Sequence, residues 1–528
     1  MPKNIVVYSD GTGQDGGVRV EQRISNVFKM YRASRIHPDN MISPTEQVCF
    51  YDPGLGTDVG ARGFTGLMRK IDKLLQSVTG RGITKNMADC YEFIINHYQP
   101  GDRIYLIGFS RGAYTVRCLA KTMMLCGVPT KAKDGPLLRF RKQVRDIAKE
   151  AVDTVYEHGA GHARGEFEAE RDELARRFRE NYGSNYVGET DDSTRSNTAP
   201  YFIGVYDTVA ALGASGRRRT LIQAGLTALF AAVSSAASAL LAIPFALAVN
   251  SYYDVSFWWS ELAIGAAFVA LSVAWFLYRQ HVQYTKTIYD FPNKGDKHAH
   301  QAEWKSEFFD RLLSRYVGTA RSANAIDERR KDFDRVTWGQ KDSKQLAQCW
   351  FAGNHSDVGG SYPETESRLS DISLQWMLEE VLKLEYPIKF GPVTIHGQTI
   401  VGTGTAGTPL HLYPDVTSMQ HSEIAGTHDT IDNFREGLPW VFRWMLANAN
   451  YEIIKRAIPG VAKVHPTVIQ RFTLETVVDC ANDTIGNYRP EALREHNDFK
   501  QFYPSPPPAD APPPGRREEA SLPSPMPS

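Results

Sequence analysis

Arg103-Ile104-Tyr105-Leu106-Ile107-Gly108-Phe109-Ser110-Arg111-Gly112-Ala113-Tyr114-Thr115 is the stretch whose reading decides the fold. An apolar run, a glycine-flanked turn and a run rich in small residues predict strand, sharp elbow and helix in direct succession. In that setting a serine is held exposed on a strained turn, so Ser110 is the candidate nucleophile. The flanking glycines suit a place where strand and helix come too close for a side chain. Gly-x-Ser-x-Gly alone means little in a chain with 42 glycines. The strand before it and the helix after it make it informative.

Working outward, Asn4 to Tyr8 reads as a buried strand that ends in Ser9-Asp10-Gly11-Thr12-Gly13, a polar glycine-rich turn. Gln47 to Tyr51 repeats the pattern and runs into Asp52-Pro53-Gly54-Leu55-Gly56. Helical periodicity fills residues 66–98 with Leu67, Ile71, Leu74, Leu75, Val78, Ala88, Tyr91, Ile94 and Ile95, and feeds the Ser110 strand. Strand, helix and strand in succession imply right-handed parallel crossovers. The fold class is therefore α/β, a doubly wound and mostly parallel sheet whose working loops sit at the carboxyl ends of its strands. A dehalogenase-type phosphatase also opens with an acidic loop, but it needs a second aspartate two residues from the first, and Tyr8 and Asp10 do not supply that pair.

Two further strand ends complete a chemical set. Tyr201 to Tyr206 is a buried-strand pattern with Asp207 just past it, where a hydrolase keeps the acid that orients its histidine. Gln348 to Ala352 is the last core strand and leads into Gly353-Asn354-His355-Ser356-Asp357-Val358-Gly359-Gly360. His355 is there as the candidate general base. Alone, Asp207 reads as a turn or capping residue and His355 as structural. The order Ser110, Asp207, His355 is that of an α/β-hydrolase and differs from those of chymotrypsin and subtilisin. His428-Asp429 is a fallback base with no apolar strand before it.

The chain has 528 residues, with 60 basic and 60 acidic side chains, so no overall field draws it to nucleic acid. Cys49, Cys90, Cys118, Cys126, Cys349 and Cys480 are scattered without a C-x-x-C pair, which speaks against cysteine metal sites and a disulfide framework. The amino-terminal residues lack the pattern of a secretory signal peptide. Residues 131–194 are rich in charge with apolar positions at helical spacing, and read as a solvent-facing helical insertion. After Arg217-Arg218-Arg219, Thr220 to Tyr253 holds 34 residues without a formal charge, and Leu262 to Tyr278 holds 17 more. A bilayer core needs about 20 residues of helix. Two such helices around Asp254 and Glu261 form an apolar hairpin, with both basic flanks on one side. Insertion in a membrane is the expectation, and a pair of lid helices is the alternative. Further on, His298, His300, Trp304 and Phe308 suggest another amphipathic helix, on which two histidines two apart are poorly spaced to share a metal.

The Ser9-Asp10-Gly11-Thr12-Gly13 turn, Gly108-Phe109-Ser110-Arg111-Gly112-Ala113, Gly204-Val205-Tyr206-Asp207-Thr208, and Phe351 to Gly360 with Leu369-Ser370-Asp371-Ile372 together resemble the catalytic domain of the first family of type VI secretion phospholipase effectors. The resemblance covers about residues 3–385 and implies an α/β-hydrolase acting on phospholipid acyl esters, with Ser110, Asp207 and His355 as its triad. The amide of Arg111 and an amide at Gly11 or Thr12 are the expected oxyanion donors. No metal or cofactor is expected. The expected partners are a phospholipid substrate, a membrane, and a secretion or immunity protein, with no nucleic acid. The rival readings are an esterase or thioesterase for smaller substrates and a membrane-anchored interaction protein with a vestigial site. The expected divisions are 1–130, first part of the hydrolase core; 131–200, the charged insertion; 201–216, the strand with the acid; 217–286, the apolar hairpin; 287–385, the rest of the core with His355; 386–503, a carboxyl-terminal region with no assigned chemistry; and 504–528, a disordered proline-rich tail.

Overall fold

The computed structural model describes residues 2–11, 23–38, 40–54, 81–163, 165–188, 192, 194–209, 216–253, 255–302, 312–330, 336–339, 341–401, 410–422, 453–479 and 484–503. Thr12, the expected helical residues 66–80, Trp304, Phe308, His428-Asp429 and the proline-rich tail lie outside them.

Seven strands form the central sheet: β1 (Asn4–Ser9), β2 (Gln47–Asp52), β3 (Arg103–Phe109), β4 (Phe202–Tyr206), β7 (Thr319–Ala325), β8 (Leu346–Phe351) and β9 (Lys463–Val464). Their spatial order is β2-β1-β3-β4-β7-β8-β9, and every pairing is parallel. A parallel sheet is covered on both faces, which is why β1, β3 and β4 read as nearly unbroken apolar runs. Order reverses between β1 and β3, so their carboxyl ends open a crevice at the topological switch point. Ser9 pairs with Gly108 at that end, which sets Asp10 and Gly11 beside Ser110.

Helices α1 (Asn26–Ser34) and α9 (Arg368–Leu382) cover one face through Val27, Met30, Leu374, Met377 and Leu378. On the other face α2 (Arg81–His97) and α3 (Arg111–Cys126) pack through Tyr91, Ile94, Val116 and Leu119. The charged insertion is helical as expected: α4 (Lys142–Lys149), one π-helical stretch (Glu150–Tyr156) and α5 (Glu168–Tyr182). It is not merely solvent-facing. Val144, Ile147, Val152, Val155, Phe178 and Tyr182 are buried in the same core as α2 and α3. Charge density marked its outer side and hid a complete apolar stripe on the inner one.

The apolar hairpin is α6 (Gly216–Tyr253) and α7 (Phe257–Tyr284). Ser235–Tyr253 and Phe257–Tyr278 are long and apolar enough to cross a membrane, with mean hydropathies of 1.4 and 1.8. The two helices meet along small residues: Ser238, Ala242 and Ala246 at successive i+4 positions are buried, and Gly265 faces Ala242. Large side chains lie on the outside, with Leu240, Trp258, Trp259, Leu271 and Trp275 all exposed, while Phe245 meets Phe268 edge to face across the pair. Chain returning from α7 forms the ribbon β5 (Thr285–Tyr289) and β6 (Lys297–Gln301), which is antiparallel. His298 and His300 therefore lie on a strand and not on the expected helix. Lys-His-Ala-His-Gln carries no apolar repeat of either period, and antiparallel pairing with β5 is what makes it a strand.

Phe178 is 1 % exposed in the shared core. Phe178→Ala should therefore destabilise the protein by about 3–5 kcal/mol, measured by thermal or urea unfolding. A detachable insertion would show almost no change.

Candidate active site

Ser110 sits between β3 and α3 with φ 57° and ψ −122°, a conformation rarely tolerated by a residue with a Cβ. Strain of this kind costs about 1–3 kcal/mol and persists where surrounding contacts impose it. Those contacts are visible. The Ser110 amide donates to the Tyr206 carbonyl at 3.0 Å, and the Ser110 carbonyl accepts from the amides of Tyr114 at 3.2 Å and Val209 at 3.4 Å. A Cβ on Gly112 would come within 2.0 Å of the Ser9 carbonyl oxygen, and one on Gly108 within 2.6 Å of Ala113 Cα. Both glycines are needed because β1 and α3 approach the elbow backbone to backbone.

Asp207 follows β4 and is wholly buried. Its backbone amide donates to Ala323 at 2.7 Å, and its Oδ1 accepts from the Ala325 amide at 3.0 Å, so the end of β7 fixes it from the side. His355 Nδ1 lies 2.6 Å from Asp207 Oδ2. The imidazole is also stacked on the Phe109 ring, with centroids 4.6 Å apart, which brings His355 against the residue preceding Ser110. The structure thus brings all three sequence-derived residues to the carboxyl edge of the sheet.

His355 opens α8 (His355–Gly359), whose Asn354 cap accepts from the amides of Ser356 and Asp357, while Asp357 accepts from the Asn354 amide. That reciprocal cap holds the histidine at the first helical position. The His355 amide in turn donates to Glu328 Oε2 at 3.3 Å, and Glu328 is held by Arg330 through two guanidinium bonds of 2.8 and 2.9 Å.

Arg456 is not among the residues singled out from the sequence. It grips Asp207 with both guanidinium ends, Nη1 to Oδ1 at 3.1 Å and Nη2 to Oδ2 at 2.9 Å, and it too is buried. Burial pushes the Asp207 carboxyl up, but Arg456 and the hydrogen bond from His355 outweigh it and hold the group well below the usual carboxylate range. His421 likewise ties down Asp357, at 2.7 Å from Nδ1 to Oδ1. The region from 386 onward therefore has chemistry after all. A signal existed: Lys455-Arg456 interrupts the apolar run Ile453-Ile454 and Ala457-Ile458, an uncommon place for a cation without a buried partner.

Gly11 lies directly against Ser110, so that a Cβ there would be 3.1 Å from the serine Cβ. Its amide, however, donates to Asp10 Oδ1 at 2.8 Å. Asp10 also accepts from Tyr51 at 2.8 Å and from the Ser25 hydroxyl, and burial raises it to about 6 despite these donors. Asp10 therefore shapes the loop under Ser110, and the Gly11 amide is engaged there. The Arg111 amide is in the first turn of α3, where no intrahelical acceptor exists for it. Burial lowers the Arg111 guanidinium to about 10.

A sequence profile for the Tle1-like phospholipase effector of type VI secretion, catalytic domain, matches residues 3–249 and 284–380. The chain belongs to that family. The unmatched residues 250–283 include the end of α6 and nearly all of α7. An uncharacterized protein of Saccharomyces cerevisiae is 24 % identical over 497 residues, covering 82 % of this chain; the chain spans 65 % of that relative's length. Among solved structures, an uncharacterized protein from Pseudomonas aeruginosa aligns at 14 % identity with a TM-score of 0.33, over 74 % of this chain and 47 % of that one. The Tle1 effector bound to the VgrG spike of the type 6 secretion system aligns at 16 % identity with a TM-score of 0.25, over 70 % and 53 %.

Removing one partner of a buried ion pair strands the other charge and costs about 3–5 kcal/mol. Arg456→Met should destabilise this Tle1-like chain by that order in urea unfolding. In a double-mutant cycle with Asp207→Asn the two losses should be far from additive. Additive losses would mean that the pair does not act as a unit.

Proposed function

We propose that the chain is a serine-dependent lipolytic hydrolase that cleaves phospholipid acyl esters at a membrane surface. One observation carries the reading: the residue before a strained serine, Phe109, stacks on an imidazole that is held by a buried carboxylate. In this mechanism His355 takes the Ser110 proton as Oγ attacks the acyl carbonyl carbon, while Asp207 holds the imidazole in one tautomer and faces the imidazolium as it forms. The Arg111 amide donates to the oxyanion, as the residue after the nucleophile does in such elbows. Collapse of the tetrahedral intermediate expels the lysophospholipid alkoxide, which receives the proton from His355. Water then enters by the same general-base route, and the acyl-enzyme releases fatty acid. Family membership supports the lipid class of substrate, and the exposed apolar hairpin supports a membrane as the place of encounter.

Ser110→Ala should reduce fatty acid release from phospholipid vesicles by about 10⁴-fold or more, the scale seen when a hydrolase nucleophile is removed. Circular dichroism and vesicle partition should not change. Activity retained in that variant would defeat the assignment, and so would a wild-type protein that a fluorophosphonate probe fails to label. Faster turnover of short esters or thioesters than of phospholipids would favour the smaller-substrate reading. A secretion or immunity protein is proposed as partner on the family's account.

The hairpin is proposed to insert. Trp258 and Trp275 are 17 residues apart on α7, about 26 Å at 1.5 Å per residue, close to the thickness of a hydrocarbon core. Aromatic residues at both ends and small residues between the helices are what a membrane hairpin requires. The full-length chain should therefore stay in the membrane pellet after alkaline carbonate extraction. A chain with residues 220–278 replaced by a short polar linker should move to the supernatant. Extraction of the intact protein would leave the helices as a lid.

A further inference from the structure

Outside the triad, a second group of chemically capable side chains meets where the hairpin joins the body of the protein. His158 follows the π-helical stretch, Glu170 lies in the first turn of α5, and His300 comes from β6, 130 residues beyond Glu170. One ligand atom from each lies within 4.8 Å of the others. His158 Nε2 is 2.7 Å from Glu170 Oε2, and the two imidazole rings stand perpendicular with centroids 4.5 Å apart. The His158 side chain is 1 % exposed. Nδ1 of His158 and Nδ1 of His300 are both buried without a hydrogen-bond partner among the described residues. Buried ring nitrogens without partners are an expensive arrangement for a purely structural cluster, and the opposite ring nitrogen of His158, Nε2, is the one that faces Glu170.

We propose that His158, Glu170 and His300 form a binding site for a divalent transition-metal ion of the zinc class. Two imidazoles and one carboxylate are a donor set of intermediate softness, suited to zinc and its neighbours and not to calcium or magnesium, which take oxygen ligands. Tetrahedral zinc with bonds of about 2.0–2.1 Å sets its ligand atoms about 3.3 Å apart. The side chains reach that spacing by rotation about their own bonds, and a half-turn of either ring exchanges the edge it presents. On binding, His158 takes the tautomer with its proton on Nδ1, so that the Nε2 lone pair meets the ion in place of the N–H shared with Glu170. Ligation by His300 Nε2 displaces the Gly159 amide, which donates to that atom at 2.9 Å.

The surroundings fit such a centre. Glu170 Oε1 is 3.0 Å from His298 Nδ1, an outer partner for the ligating carboxylate. The Phe167 ring stacks on His300 at 4.0 Å and closes one side with an apolar wall. His162 stands beside the cluster, its ring centroid 5.3 Å from that of His300, with Nε2 2.9 Å from the Gln301 carbonyl.

The position of the centre tells what it does. Glu157 and the Asp153 carbonyl already accept from Lys286 Nζ at 2.5 and 2.6 Å, which joins the insertion to β5 just after α7. A metal between His158, Glu170 and His300 adds a second cross-link at the same junction and sets the root of the hairpin on the insertion. It takes no part in the chemistry at Ser110.

The test uses the full-length protein in detergent, stripped with a chelator and dialysed against zinc, with metal measured by elemental analysis. Wild type should retain about one equivalent, and cobalt(II) in its place should give the visible d–d absorption of a four-coordinate site. Glu170→Gln keeps size and hydrogen bonding but removes the charge, and should weaken zinc binding by at least about 100-fold with an unchanged circular dichroism spectrum. His298→Ala should weaken it by about 10–100-fold, the range for outer partners. Wild type that retains no zinc and shows no cobalt spectrum overturns the proposal. So does an equivalent of zinc retained undiminished in Glu170→Gln and in the His158→Ala/His300→Ala double variant.

Discussion

A carboxylate with no access to water must be surrounded by donors, and Asp207 gathers the candidate site by that requirement. Three separate parts of the chain answer it with four contacts: the amide of Ala325 at the end of β7, the imidazole of His355 on α8, and both ends of the Arg456 guanidinium, all around a residue that directly follows β4. An isolated buried carboxylate would abandon its charge or destabilise the fold. With these partners it stays charged, and its charge is what an oriented imidazole needs beside it. The residue before Asp207 also accepts the Ser110 amide, so the same corner supports the strained elbow.

The cation on Asp207 has a chemical consequence. In the proposed mechanism Arg456 neutralises part of the field of Asp207 at His355, so the carboxylate serves there to orient the imidazole at least as much as to stabilise its charge. It also makes the region beyond residue 386 a structural partner of the site, since Arg456 and His421 brace the acid and the helix cap that carries the base. The site is thus assembled from both ends of the chain around a sheet whose switch point brings β1 and β3 together.

The hairpin leaves the chain between acid and base and returns to the same junction, so its insertion need not disturb the sheet. Its helices pack on each other through Ser238, Ala242 and Ala246 while large residues lie on the outside. In water that arrangement is upside down, since the apolar bulk would gain by being buried. In lipid it is the expected one, because close approach of small residues is what holds helices together there.

Much of the site was legible in the sequence because the signals were local. Strand, elbow and helix around Ser110, and a polar residue just past a buried strand at Asp207 and His355, each occupy a few consecutive residues and follow from backbone geometry. The two long uncharged runs were equally plain, since a bilayer reads length and composition alone. Arg456, the inner apolar stripe of the charged insertion, the engagement of the Gly11 amide by Asp10 and the meeting of His300 with His158 and Glu170 were decided only by tertiary structure. In each case the deciding contact lies far along the chain: even for the neighbours Asp10 and Gly11, it is Ser25 and Tyr51 that hold the Asp10 carboxylate in place. Sequence alone determined which elements could form and which side chains could do chemistry; three-dimensional packing determined which of them share a dry, crowded space, because burial and pairing are properties of contact and not of order along the chain.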